Sequence, residues 1–221
     1  MPINENFLLC PDMDSLPRID PPLRIGVMAS GNGSNFEALV ESTLSSSLNA
    51  KVELLVVNNE CCFAIDRAKR LGIKYLLHDH RDYVSRHELD KALIQSFKEF
   101  EIECIVMAGW MRVVTPTLIN SFNNRIINIH PSILPSFPGL NAIDKALAFG
   151  VKVTGCTVHI VSAEVDSGPI LAQAVVPIFE HDNKQSLRRR IQEQEHKILP
   201  IGVAVAAERW RLEDLSRDNM C

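Results

Sequence analysis

The sequence predicts an α/β fold: a three-layer αβα arrangement around a mostly parallel, Rossmann-like sheet, with antiparallel strands toward the C-terminus. Three observations carry that expectation. From residue 24 onward, short apolar runs alternate with longer amphipathic stretches, the order produced when each strand is followed by a crossover helix. A glycine-rich turn, Ser30-Gly31-Asn32-Gly33-Ser34-Asn35, stands between the first apolar run and the first amphipathic stretch. The last two apolar runs, 152–161 and 168–176, have no helical spacer between them, so they should pair antiparallel.

The expected parallel strands are 24–29, 51–57, 73–77, 102–107 and 125–129, rich in Ile, Val and Leu as strands buried on both faces are. Helices are expected between them at 34–44, 61–71, 83–100 and 115–120. A further helix at 141–149 should stop at Gly150, because glycine enters a left-handed cap without a Cβ clash. The polar stretch 183–197 reads as a long surface helix ending near Pro200, where the missing N–H interrupts helical bonding. Residues 1–22 hold five of the 12 prolines together with Asp12, Asp14 and Asp20, and read as a flexible extension outside a single domain spanning 23–221.

Composition narrows the function classes. Lys and Arg number 23 against 27 Asp and Glu, a net charge of −4 that argues against a nucleic-acid-coating protein while leaving room for a local anion site. The longest near-apolar run, 198–207, is broken by Pro200 and falls short of the roughly 20 residues that cross a bilayer. There is no cationic start with an apolar core, so neither membrane nor secretion is expected and the location should be cytoplasmic. Six cysteines, at 10, 61, 62, 104, 156 and 221, form no CxxC pair and read as reduced, buried thiols.

Three local features point to chemistry. In the glycine-rich turn, Gly31 and Gly33 let the chain bring several backbone N–H groups together, and Ser34 is placed to cap the following helix, whose positive end favours a phosphate. A tight turn without a ligand remains the alternative. A nicotinamide site fits less well, because Phe36 stands where the third glycine is needed and Asn58-Asn59 where a ribose-binding acid is needed. The second feature is Asn128-Ile129-His130-Pro131, at the carboxyl end of the fifth expected strand. Strand alternation puts Asn128 and His130 on one side, about 7 Å apart, close enough to hold one reacting atom. Leu134-Pro135, just beyond, is a candidate cis bond. The third is Asp166, in the turn joining the two antiparallel runs; a carboxylate against His130 would stabilise its imidazolium and let it donate to a developing negative oxygen, whereas on local grounds Asp166 is a turn residue.

Other clusters carry less. His78-Asp79-His80 has the donors for a metal but lies in a charged loop, and no metal is expected. Arg188-Arg189-Arg190 reads as a solvated helix face near the anionic ligand, His159 as either a cleft residue or a buried structural one, and Cys61-Cys62 as a helix start.

Together, Ser30 to Asn35, Ala108-Gly109-Trp110-Met111-Arg112, Asn128 to Pro135, Pro138-Gly139 and Asp166-Ser167-Gly168-Pro169 resemble the phosphoribosylglycinamide formyltransferase family of purine biosynthesis, over about residue 24 to the C-terminus. The resemblance implies transfer of a formyl group from 10-formyltetrahydrofolate, as cosubstrate, to the amine of glycinamide ribonucleotide, with both small molecules as partners and a monomer or homodimer as the working unit. It implies Asn128, His130 and Asp166 as catalytic residues and Gly33, Ser34 and Asn35 as the phosphate loop. Gln192 and Glu195 would hold the ribose or glycinamide end, and Arg86, Met111, Arg112, Val113, Val114 and Asn128 the folate. The sequence departs from the family pattern at Asn141-Ala142-Ile143, where relatives often carry histidines, and in its prolyl N-terminus. Other folate-dependent members, a methionyl-tRNA formyltransferase or a formyltetrahydrofolate hydrolase, are expected to need an additional domain; a non-catalytic nucleotide-binding module is the reading from a different class.

Overall fold

The computed structural model describes residues 8–11 and 15–218. Its elements in chain order are β1 (Leu9–Cys10), β2 (Leu23–Ala29), α1 (Ser34–Leu44), β3 (Ala50–Val57), α2 (Phe63–Leu71), β4 (Lys74–Leu77), α3 (Arg86–Glu99) and β5 (Cys104–Met107), followed by α4 (Pro116–Ser121), β6 (Ile126–His130), α5 (Ala142–Phe149), β7 (Val153–Ile160), β8 (Ile170–Pro177) and α6 (Lys184–Asp218). The eight strands form one sheet in the order β1-β8-β7-β6-β5-β2-β3-β4. Pairings from β4 through β6 are parallel, and β6–β7, β7–β8 and β1–β8 are antiparallel. The sheet is therefore mixed, as the missing helix between the last two apolar runs predicted.

Alternating strand residues feed two cores. Ile25, Val27 and Ala29 of β2 pack with Phe36 and Leu39 of α1, Ala64 of α2 and the apolar face of α6. On the opposite face Met28, Leu54 and Ile105 meet Leu89, Leu93 and Phe97 of α3 and Leu118 of α4. Cys62 stands as the N-terminal cap of α2. Ser85 caps α3 by accepting from the Glu88 N–H, which starts that helix later than its apolar pattern alone indicates.

Two expectations are corrected. Helix α6 does not end near Pro200 but continues through it to Asp218. A helix-interior proline costs about 3 kcal/mol, and burial of large aliphatic side chains returns about 1.5–3 kcal/mol each, so buried Ile198, Leu199 and Val203 outweigh the lost bond. Gly202 lets this stretch lie directly on β7: a Cβ there would come within 2.4 Å of Val158. The described part of the N-terminal stretch is also not free of the fold. Leu9 and Cys10 pair with Ala174 and Gln173, the Val175 N–H donates to the Leu8 carbonyl, and Ile19 is fully buried in the core. Alternation over two strand residues among prolines is too short to read as a pattern. Residues 1–7 and 12–14 lie outside the described residues.

Cys62, Cys104 and Cys156 are free and buried as expected, whereas Cys10 and Cys61 are free and exposed; Cys221 lies outside the described residues. Among the described residues no helix is long and apolar enough to cross a membrane.

Candidate active site

The chain runs outward from β2 through β3 to β4, then returns to place β5 on the other side of β2, so the sheet's switch point lies between β2 and β5. A cavity of about 670 Å³ opens there, at the carboxyl ends of β2, β5 and β6. The loops after β2 and β5 are tied together: the Ser30 N–H donates to the Gly109 carbonyl at 3.1 Å, and the Ser30 hydroxyl accepts from the Met111 N–H at 2.9 Å.

Strand β6 delivers Asn128 and His130 to the cavity, and the β6–β7 register sets His159 opposite Asn128. The turn between β7 and β8 then folds Asp166 back onto them. Its Oδ2 lies 3.2 Å from His130 Nδ1 and accepts the Gly139 N–H at 2.8 Å; its Oδ1 lies 3.4 Å from Asn128 Nδ2 and 3.6 Å from His159 Nε2. His130 and Asp166 are both nearly enclosed, with side-chain exposures of 7% and 9%. Burial alone would push the Asp166 carboxyl up, but contact with His159, the Gly139 N–H and the two imidazoles outweigh it, and the carboxyl is held below its ordinary range. The other ring nitrogen of His130, Nε2, lies 3.0 Å from the Phe137 carbonyl, so both nitrogens face acceptors and both need protons to hydrogen-bond. Leu134–Pro135, in the loop that carries Phe137, is cis. His159 Nδ1 faces its neighbour's carbonyl, Ile160 O, at 3.0 Å, leaving Nε2 to accept from Asn128 Nδ2 at 3.1 Å. His159 is thus a cleft residue that holds Asn128.

The glycine-rich loop forms the other end of the cavity. Gly33 precedes α1 with φ 73°, and a Cβ there would meet Ala64 Cβ at 2.7 Å, so the position requires glycine on two counts. Ser34 does not cap α1 as expected: it is the first helical residue, and its hydroxyl accepts from Gln192 Nε2 at 2.5 Å. Asn35 Nδ2 donates to Glu195 Oε2 at 2.9 Å. Two residues about 160 positions away are thereby fastened to the loop. Burial pushes the Glu195 carboxyl up, against the opposing effects of the Asn35 amide and the charge of Arg188.

Met111, Arg112, Val113 and Val114 all line the cavity between these ends. Met111 and Val113 are 69% and 50% exposed, and with Leu140 and Val165 they give the wall an apolar rim instead of belonging to the core. Asp90, a buried residue the sequence reading passed over, fixes this segment by accepting the Thr115 N–H at 2.6 Å. Burial raises its carboxyl, against the Thr115 hydrogen bonds. Arg86 is not brought to the cavity: it is exposed at the first turn of α3. His78 is occupied by Tyr83 and Ser96, and among the described residues no group of three or more His, Cys, Asp or Glu is placed to hold a metal.

The cavity at the carboxyl ends of a mixed sheet thus gathers an amide, an imidazole and a carboxylate, and residues 23–203 match the sequence profile of the family described as formyl transferase. The chain belongs to that family. It is 40% identical over 177 residues to the phosphoribosylglycinamide formyltransferase of Bacillus subtilis strain 168, covering 80% of this chain and 91% of that protein. It is 39% identical over 184 residues to the human trifunctional purine biosynthetic protein adenosine-3, covering 83% of this chain but only 18% of that longer protein. Among solved structures, glycinamide ribonucleotide transformylase 1 from Symbiobacterium toebii superposes with a TM-score of 0.83 at 42% identity, covering 85% of this chain and 88% of that one.

Proposed function

We propose that this chain transfers the formyl group of 10-formyltetrahydrofolate to the amine of glycinamide ribonucleotide, giving N-formylglycinamide ribonucleotide and tetrahydrofolate. The observation that carries the reading is one carboxylate, Asp166, within reach of both His130 and Asn128 in a cavity whose far end is a glycine-rich helix start. The relatives that bear this activity in their names support it.

The substrate amine attacks the formyl carbon, forming a C–N bond and placing negative charge on the formyl oxygen. Asn128 and His130 are the donors for that oxygen, a role in which one fixed donor contributes about 3–4 kcal/mol. His130 Nε2–H then exchanges the Phe137 carbonyl for the oxyanion, one acceptor for another, so little hydrogen-bond energy is lost. Asn128 likewise turns an N–H from His159 toward the substrate. Asp166 holds the His130 ring through Nδ1 and orders a water that carries the attacking amine's proton to the folate nitrogen as the old C–N bond breaks. The intermediate collapses without net oxidation or reduction. The phosphate sits on the N–H groups of Ser34 and Asn35 beyond Gly33, and Gln192 and Glu195 face the ribose. The pteridine lies along 111–114, where apolar side chains bound a flat ring and backbone groups read its edge.

Formyl transfer measured with both substrates tests the reading. Wild-type protein should form formylglycinamide ribonucleotide, and His130→Ala should not at a comparable rate. Formate release that does not need the ribonucleotide would identify a hydrolase instead, and inactivity of the wild type with both substrates would leave a binding module.

A further inference from the structure

The far end of the cavity is short of positive charge for the ligand proposed to occupy it. A phosphate monoester carries a charge of about −1.5 to −2 at neutral pH. The loop's own side chains, Ser34 and Asn35, are neutral, and so is Gln192, which binds Ser34. Asn32 of the loop is neutral too, the Arg67 guanidinium that bonds its carbonyl at 2.8 Å is committed to Glu37, and Glu195 is a buried carboxyl. Among the described residues of the cavity wall, three Lys or Arg side chains, Arg112, Lys184 and Arg188, stand against four carboxyl groups. Lys184 is paired with Asp144 at 2.6 Å. Arg112 belongs to the apolar segment after β5.

That leaves Arg188. It is on α6 one turn before Gln192 and two turns before Glu195, so the three side chains share a helical face turned to the cavity. One turn of rise is about 5.4 Å, within the span of an arginine side chain. Within its own Arg188-Arg189-Arg190 run, Arg190 is committed to Asp182 at 2.7 Å and lies over the Phe179 ring, and Arg189 does not line the cavity. Among the described residues Arg188 is in no ion pair.

We infer that Arg188 is a phosphate-recognition residue of the acceptor substrate, closing on the phosphate from α6 while the N-terminus of α1 holds it from the other side. The inference rests on the ribonucleotide reading above. A guanidinium suits the position because its planar fork meets two phosphate oxygens at once, which an ammonium does not. Its exposed, unpaired state in the free protein means that binding the phosphate does not first require breaking an ion pair.

The test is steady-state kinetics of wild type, Arg188→Ala, Arg188→Lys and the control Arg189→Ala, with inorganic phosphate as a competing probe. Arg188→Ala should raise KM for the ribonucleotide about tenfold with a much smaller change in kcat, as expected for binding that is uniform between ground and transition states. KM for the folate should stay put, inhibition by inorganic phosphate should weaken in parallel, and Arg188→Lys should recover part of the loss. An unchanged ribonucleotide KM, or a loss shared equally with Arg189→Ala or with the folate, would overturn the inference. Direct titration of inorganic phosphate by calorimetry separates the two layers. If the wild type binds phosphate and Arg188→Ala binds it several-fold more weakly, Arg188 recognises the anion even if the transfer reaction proves to be another one. If both bind it equally, the role fails even though transfer stands.

Discussion

The two ends of the cavity are built by different means. Around Asp166, a strand pairing and two tight loops converge on one carboxylate: β6 supplies Asn128 and His130, β7 supplies His159, and Phe137, Gly139 and Asp166 all adopt positive φ, at 54°, 74° and 53°. A bulky residue such as Phe137 in that region costs on the order of 1–3 kcal/mol, which the surrounding contacts must offset. The glycine-rich end uses one helix start and two side-chain hydrogen bonds to α6. The first end fixes charge and direction at a reacting atom; the second provides donors for a group that does not react. Substitutions should therefore separate cleanly into losses of turnover and losses of affinity.

The largest effects belong to the first end. Asn128→Ala, His130→Ala and Asp166→Ala should each lower kcat by about 10²–10⁴-fold while circular dichroism and melting show a folded protein. Near-wild-type turnover in any of them removes that residue from the chemistry. Asp166→Asn sharpens the point, because it keeps a hydrogen-bonding shape without the charge; turnover as low as in Asp166→Ala would identify the charge as the essential element.

At the second end, Ser34→Ala and Asn35→Ala should raise KM for the ribonucleotide by about tenfold, because each loses the hydrogen bond that seats Gln192 or Glu195 on the loop, with kcat nearly retained. A change confined to folate KM would exchange the two substrate sites.

Glu195→Gln should change both stability and ribonucleotide binding in one protein. The folded state holds this carboxyl's proton more tightly than the unfolded chain, so the native carboxylate costs stability as pH rises through its raised value. The glutamine variant should therefore melt higher at neutral pH, by about 2–4 °C for each kcal/mol relieved. It should also bind the ribonucleotide less well. A lower melting temperature would mean that the carboxylate stabilises the fold.

The smallest effect is acid sensitivity. Asp166 is depressed in the folded state, so its contribution is complete above the ordinary Asp value of 3.8 and is lost as pH falls from there toward the depressed value. Subtracting the stability–pH curve of Asp166→Ala should isolate that step on the acid side; a difference that is flat with pH would show that the carboxyl is not depressed.

Most of the architecture was legible in the chain because period and punctuation agree. Helix α1 matches its expected bounds of 34–44, and Gly150 ends α5 in the left-handed conformation expected of it. Asn128 and His130 share a face by strand alternation alone. The misreadings have a common cause: local signals were overruled by burial elsewhere. Pro200 looks like a helix end until the apolar face beyond it meets β7, and Leu9 and Cys10 look loose until β8 offers an edge. Arg86 was placed by resemblance and does not line the cavity, while Asp90, which fixes a wall, carries no motif because its carboxylate acts on one backbone N–H 25 residues away.

From the sequence alone come the alternation of strands and helices, the glycine turn, and the residue types able to stabilise an oxyanion, because each depends on neighbours within a few positions. The meeting of Asp166 with His130 across 36 residues, the seating of Gln192 and Glu195 on the loop, and the unpaired state of Arg188 were decided only by the tertiary structure. Long-range contacts depend on sheet order and strand register, and those are set by the packing of the whole chain.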